Sequence, residues 1–427
     1  MIGQSPRRRE DERLIVGRGR FVDDIRLPDV LHLVLVRSRH ARARLTRVDV
    51  SPARAQPGVL AFVADDFPEL SVPLPWRATE TTNPYAVYDA ARPQHALARG
   101  GVRHVGEAIA AVLADDRYRA EDAAASITID YEPEPAVVDA EAAMRDDAPQ
   151  VHDGHSNVVG RVAAVVGDVD KAFAEADVVV EDRLAHSRVS SMAIEPRAVC
   201  AALDADGECL TVWAGHQNPF ALRAAVASVL ELSLERVRVI APDTGGGFGT
   251  KIAVYPEDVL VPLLAYRLRR PVKWIQTRTE FMQSSHQARE QRHEARLAAT
   301  RDGRLLALDV RIVKDVGAYH SFSISEPTNT INHLPSLYRV PAFRAEAVSV
   351  VTNKVASSPY RGAGRPEAVF VLERLLDRLA RSLRMDPAEL RAKNLVRPDE
   401  MPYAPGHVYR DGVPVRYDGG DYPLELR

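Results

Sequence analysis

The chain has little cysteine: Cys200 and Cys209 are the only two in 427 residues. One pair cannot complete a four-cysteine zinc site or ligate an iron–sulfur cluster, so neither is expected on this chain. The two flank Asp204–Ala205–Asp206–Gly207, which reads as a hairpin turn between strands, and two buried or cross-strand thiols are expected. Low cysteine usage suits a reducing compartment, so a cytoplasmic location is expected. No run of about 18 apolar residues occurs, so no membrane span is expected. The Arg7–Arg8–Arg9 run has no apolar stretch after it and does not read as a secretory or twin-arginine leader. A net charge of −3 gives no argument for nucleic acid or an anionic membrane as a partner. No metal-ligand motif is complete. His293–Glu294–Ala295–Arg296 begins like a zinc-binding His-Glu-x-x-His, but Leu297 stands where the second histidine is needed, and the segment reads as a strand. His152 and His155 flank a glycine-containing turn, and His286 and Glu290 lie on a charged segment; structural roles are expected for all four.

What the chain does have is a glycine-rich turn, Thr244–Gly245–Gly246–Gly247–Phe248–Gly249–Thr250–Lys251, after the apolar run Val237–Ala241. Glycine lets other groups approach the backbone closely, and a strand running into such a turn presents free N–H groups to an anion or an oxo group. The turn is not a Walker loop, which needs Gly directly before Lys-Ser/Thr, because Thr250 precedes Lys251. Nor is it a dinucleotide fingerprint, which wants Gly or Ala at that same position. By itself the stretch reads equally well as a structural turn.

Residues 1–140 read as one α/β unit, with a strand at Leu31–Val36, a buried strand ending at Ala114, a helix at Tyr118–Ser126 and a strand at Ile127–Tyr131 broken by Glu132–Pro133–Glu134–Pro135. Acidic, proline-containing sequence over 141–157 reads as a connector. The second unit, 158–427, alternates strands and helices. Its helices include Pro219–Glu231, Glu257–Leu268 and Glu367–Leu383, and Asp386–Pro387 is an N-cap with Pro at the first helical position.

Several short motifs occur in order along nearly the whole chain. They are Gly17–Arg18–Gly19–Arg20–Phe21, Val105–Gly106–Glu107–Ala108, Asp130–Tyr131–Glu132–Pro133, Glu195–Pro196–Arg197, Trp213–Ala214–Gly215–His216–Gln217–Asn218–Pro219, the glycine turn, and Tyr360–Arg361–Gly362–Ala363–Gly364–Arg365–Pro366–Glu367. In this series the chain resembles the molybdenum-binding large subunit of the xanthine oxidase family of molybdenum hydroxylases, nearest to the carbon-monoxide-dehydrogenase type. The resemblance implies an α+β fold, with an α/β hammerhead domain over 1–140 and the first half of a molybdopterin-binding domain, with mixed sheets and helices, over 158–427. It also implies a molybdenum–molybdopterin cofactor, usually the cytosine dinucleotide form. The family hydroxylates an electron-poor carbon with water as the oxygen source. Electrons leave to a 2Fe-2S small subunit and an FAD medium subunit.

The resemblance also implies residue roles. Gln217 is expected to donate its side-chain amide to the apical oxygen on molybdenum; a role capping the helix after it is the alternative. Gly246 is placed with the cofactor-binding residues, and Gly247, Phe248 and Gly249 are expected to bring backbone N–H groups to the cofactor, with Phe248 either shielding the metal or packing in the core. Arg361 is expected at the molybdenum–pterin site, where its fork suits pterin or phosphate oxygens; a salt bridge to Glu367 is the alternative. Carbon monoxide dehydrogenases carry a copper-binding cysteine where Gly362 stands, so carbon monoxide oxidation is not expected. Xanthine oxidases carry a stacking Phe where Ala363 stands and a substrate-binding Glu where Ile252 stands. A roomier, more apolar pocket is therefore expected, suited to an aldehyde or an aromatic or N-heterocyclic substrate. The family's large subunit continues beyond a stretch like Tyr417–Tyr422, and the glutamate general base belongs to that later half. No catalytic residue is therefore assigned on this chain: Glu195 and Glu257 read as structural ion pairs, and no metal ligand is assigned. A second chain carrying the carboxy-terminal half is the expected partner. The alternative is a truncated, non-catalytic cofactor-binding or interaction remnant.

Overall fold

A computed structural model of the chain describes residues 3–74, 86–88, 92–319, 322 and 325–426. Two large sheets organise it. The first has seven strands, in the spatial order Val237–Ile240, Leu210–Ala214, Ala198–Leu203, Val272–Ile275, Leu31–Arg37, Ala108–Ala114 and Leu60–Val63. The second has six: Val87–Tyr88, Val158–Val166, Ala342–Val351, Leu305–Gly317, Gln291–Ala299 and Val178–Ala185. A three-stranded sheet centred on Ala43–Asp49 and a two-stranded ribbon, Arg188–Val189 with Ala288–Arg289, complete the strands.

Ala108–Ala114 shows why the first sheet lies inside the molecule. All seven of its residues are buried, so it reads as a continuous apolar run rather than an alternation. Ala111 and Leu113 face the core under the helix Pro256–Leu268, while Ala110 and Val112 face the helix Arg117–Ala125. Asp116 starts that second helix by accepting from the N–H groups of Tyr118 and Arg119 at 2.8 and 3.2 Å.

The expected break near residue 140 is not a break between sheets. Leu31–Arg37 pairs in parallel with Val272–Ile275, so one sheet takes strands from both sides of the 141–157 connector. The strand expected over Ile127–Tyr131 instead runs Thr128–Pro133. It lies at the edge of its three-stranded sheet, where a proline costs no ladder hydrogen bond.

The second sheet is covered by the helices Ser325–His333 and Arg365–Leu383. The longer helix buries Ala368, Val371, Leu372, Leu375, Leu376 and Leu379, a stripe at 3.6-residue spacing. Only Val369 and Phe370 among the larger apolar side chains of this helix are exposed. Asp386 caps the next helix on the N–H groups of Ala388 and Glu389, with Pro387 at its first position, as expected. Cys200 is buried on its strand and Cys209 lies at the hairpin turn; both are free. Burial pushes the Cys200 thiol up to about 11.

A candidate molybdopterin site

Two parallel strands place the glycine turn beside Gln217. Leu210–Ala214 crosses over through the helix Pro219–Val229 to Val237–Ile240, which pairs alongside it, so both strands end at the same edge. The loop after the first carries Gln217, and the loop after the second is the glycine turn. Their main chains are joined where the Gln217 N–H donates to the Lys251 carbonyl at 2.8 Å. The side chain is joined too, since the Gly249 N–H donates to Gln217 Oε1, also at 2.8 Å. This fixes which end of the amide is which. Oε1 is taken, and Nε2 has no acceptor among the described residues. The capping role belongs to Asn218, whose Oδ1 accepts from the Ala221 N–H at 3.1 Å.

Two glycines in the turn are required by close approach. A Cβ on Gly247 would lie 2.6 Å from Gln217 Oε1. A Cβ on Gly249, which sits at φ +107°, would lie 2.0 Å from the Pro359 carbonyl oxygen. The second contact is the seam where the turn meets the loop carrying Arg361. The Arg361 N–H crosses the same seam to the Phe248 carbonyl at 2.9 Å. Gly246 lies against the Phe248 ring, and Phe248 itself is 43% exposed, so it is not a core-packing residue.

The expectation for backbone donors needs one correction. The Gly249 N–H is not free for a cofactor, because it holds the Gln217 amide. The N–H groups of Gly246, Gly247 and Phe248 have no acceptor among the described residues. Arg361 is exposed, and its guanidinium meets no carboxylate among the described residues. The alternative partner, Glu367, is fully buried and bound to Arg289 at 3.0 Å. Gly362 and Ala363 follow at φ +99° and +42°. A Cβ at Gly362 would fall 2.8 Å from the Pro366 ring, so a cysteine does not fit this backbone. Ile252 is half-buried, one short turn beyond Gly249, to whose carbonyl its N–H donates at 3.1 Å.

The nearby carboxylates are structural. Glu195 Oε2 accepts from the Gly245 N–H and from the buried Lys251 ammonium, each at 2.8 Å. Burial pulls the Lys251 pKa down, and Glu195 opposes that shift. Glu257 lies between Arg37 and Arg197 at 2.7 and 2.8 Å. Burial alone would raise its pKa, yet the two arginines hold it down to about 2. The histidines are structural too. His152 Nε2 lies 2.7 Å from the Ala318 carbonyl, and burial holds His286 and His293 neutral down to about 3. No cluster of three potential metal ligands occurs among the described residues.

Sequence reading did not single out Arg289, Lys314 or Glu326 as part of this region. Lys314 and Glu326 form a fully buried ion pair at 2.9 Å beneath the Arg361 loop. A signal was present: Lys314 shares strand parity with the buried Val310 and Ile312, so a lysine there faces inward and needs a partner.

The chain matches the molybdopterin cofactor-binding domain over residues 151–395 and the α/β hammerhead domain of aldehyde oxidase and xanthine dehydrogenase over 16–135. It is 35% identical over 98% of its length to the 6-hydroxypseudooxynicotine dehydrogenase complex subunit gamma of Paenarthrobacter nicotinovorans, covering 52% of that protein. It is 34% identical over 89% of its length to the nicotinate dehydrogenase large molybdopterin subunit of Eubacterium barkeri, covering 86% of it. The crystal structure of quinoline 2-oxidoreductase from Pseudomonas putida 86 superposes with a TM-score of 0.90 at 35% identity, over 99% of this chain and 53% of that one. The chain belongs to this family of molybdopterin-binding oxidoreductase subunits. It spans about half the length of most of the curated relatives it matches, and most of the Eubacterium barkeri subunit.

The family implies a molybdenum–pterin group, and the residues fit one. Gln217 Nε2, the backbone N–H groups of Gly246, Gly247 and Phe248, and the Arg361 guanidinium, none with a partner among the described residues, stand on adjoining loops, with no room for a side chain at Gly247 or Gly249. All are donors, as a group rich in oxygen acceptors needs.

Proposed function

We propose that this chain is the amino-terminal half of the cofactor-binding part of a molybdenum hydroxylase that oxidises an aldehyde or an aromatic or N-heterocyclic carbon, with water as the oxygen source. The observation that carries the reading is the joining of three loops by hydrogen bonds from Gly249 to Gln217 and from Arg361 to Phe248, which leaves Gln217 Nε2 and the N–H groups of Gly246, Gly247 and Phe248 without an acceptor among the described residues. Gln217, Gly246, Gly247, Phe248 and Arg361 would hold the cofactor in its cytosine dinucleotide form, while Gly249 orients Gln217. When bound, that group supplies the two-electron redox chemistry. Gln217 contributes a neutral donor that adds no charge beside a redox centre. Phe248, half open on the turn, screens the same surface from water.

The substrate side is formed by Ile252, Gly362 and Ala363, which bring no charged group and no ring to stack on a purine. Relatives named for hydroxypseudooxynicotine, nicotinate and quinoline act on nitrogen heterocycles, which supports that substrate class here. The general base is not assigned to this chain, since Glu195 and Glu257 are committed to Lys251 and to Arg37 and Arg197. It belongs to a carboxy-terminal half. A 2Fe-2S subunit and an FAD subunit take the electrons. Relatives named "complex subunit gamma" and "large subunit" support a multi-subunit assembly. Two free cysteines and no disulfide between them support a cytoplasmic setting.

The test is co-expression with a chain carrying the second half, followed by metal and pterin analysis and dye-linked assays on benzaldehyde, quinoline and nicotinate. Stoichiometric molybdenum and oxidation of at least one substrate are expected. A stable, folded complex with neither molybdenum nor pterin sinks the reading.

A further inference from the structure

Arg289 stands at the end of the strand Ala288–Arg289 with φ +67°, and Glu290 follows at φ +52°. Two consecutive non-glycine residues in the left-handed region are unfavourable and persist only where the surroundings hold them. Here the surroundings do. The Lys314 ammonium donates to the Arg289 carbonyl and is itself held by Glu326 in a fully buried pair. Glu290 is bound by Arg188 and Lys354. The outcome of this strained turn is the position of one guanidinium. Arg289 Nη1 binds buried Glu367 at 3.0 Å, Nη2 donates to the Arg361 carbonyl at 2.8 Å, and the guanidinium carbon lies 5.1 Å from the Tyr360 ring centre. One planar fork thus ties the first turn of the helix Arg365–Leu383 to the loop ahead of it. On the other side, the Asn329 amide donates to the Ala363 carbonyl at 3.0 Å.

We infer that Arg289 is a positioning residue that sets where the Tyr360–Ala363 loop, and with it Arg361, meets the glycine turn. The consequence for the cofactor rests on the functional reading above. The fork, not the charge, carries the role: a lysine can pair with Glu367 but has no second, rigidly placed donor for the Arg361 carbonyl.

Two measurements on the full chain, co-expressed with its second half, test this. The first is amide hydrogen exchange over a peptide spanning 357–364 in wild type, Arg289→Met and Arg289→Lys. Glu373→Ala serves as the control for lost helix contacts. Glu373 lies on the same helix and binds Tyr338 and Arg391. Both Arg289 variants are expected to exchange at least tenfold faster in that peptide, with no such change in Glu373→Ala. Equal exchange in wild type and Arg289→Met overturns the inference, and so does wild-type exchange in Arg289→Lys, which would make charge sufficient. The second is molybdenum content and the Mo(V) paramagnetic resonance signal. Arg289→Met is expected to hold at least tenfold less molybdenum, or to shift that signal, while Glu373→Ala matches wild type. If wild type itself holds no molybdenum, the functional reading fails, and hydrogen exchange still decides the role of Arg289.

Discussion

The backbone N–H of Gly249 donates to Gln217 Oε1 at 2.8 Å, and that bond determines which way the Gln217 amide points. With its oxygen held, the side chain presents only donors outward. Gln217→Glu keeps the shape but replaces that donor with a charged acceptor. Metal-to-protein ratio in the loaded complex is expected to fall by about 10–100-fold, the range for losing an orienting partner at a metal site. Gln217→Leu is expected to fall equally. Retention of full molybdenum in both would remove Gln217 from the site.

Gly247 and Gly249 are expected to fail in different ways. A methyl at Gly249 meets the Pro359 carbonyl backbone at 2.0 Å from a strained φ, and neither side can yield cheaply. Gly249→Ala is expected to cost about 3 kcal/mol or more in urea unfolding. A methyl at Gly247 meets the end of the Gln217 side chain, which can swing away. Gly247→Ala is therefore expected to keep stability within about 1 kcal/mol while losing cofactor. Similar stability losses in the two variants would contradict this division.

The site was more legible in the sequence than the frame that carries it. The glycine turn stood out as a local run of unusual residues, while Gln217 and Arg361 were pointed to only by the family resemblance of the motifs around them. The helix at Asp386–Pro387 and the hairpin at Asp206–Gly207 were readable as the glycine turn was, since caps and turns are local chemistry. The parallel pairing of Leu31 with Val272 is not local, and no periodicity reports a partner that far along the chain. The left-handed turn at Arg289–Glu290 was hidden differently. Both are ordinary charged residues, and distant partners, Glu367 and Lys314 for Arg289 and Arg188 and Lys354 for Glu290, make that conformation tenable.

Arg197 tests the ionic brace between the two halves of the first sheet. It is almost fully buried, 3.7 Å from the Tyr255 ring centre and 5.1 Å from that of Trp274. Glu257 joins it to Arg37, on a strand from the other side of the connector. Glu257→Ala leaves two buried arginines without this anion and is expected to cost about 3–5 kcal/mol. Glu257→Gln retains an acceptor and is expected to cost less. Chemical unfolding at pH 7 checks both, and a loss under about 1 kcal/mol for Glu257→Ala would show that the pair is not a brace.

His293 gives the fold a pH dependence with a defined sign. It is fully buried, neither ring nitrogen has a partner among the described residues, and burial holds it neutral down to about 3, whereas an unfolded histidine titrates at about 6.5. Between those values the unfolded chain binds a proton that the folded chain refuses. Stability from this residue is therefore complete above about pH 6.5 and lost as pH falls toward 3, at about 1.4 kcal/mol per pH unit. His286, also held neutral to about 3, adds a second proton of the same sign. His293→Leu removes one buried polar ring without adding another, so stability at pH 7 is expected to change by less than about 1.5 kcal/mol. The acid limb of unfolding free energy against pH is expected to flatten by one proton's slope between pH 6 and 4. An unchanged slope would mean that His293 takes up its proton in the folded state, and so is reached by water or a partner group when charged.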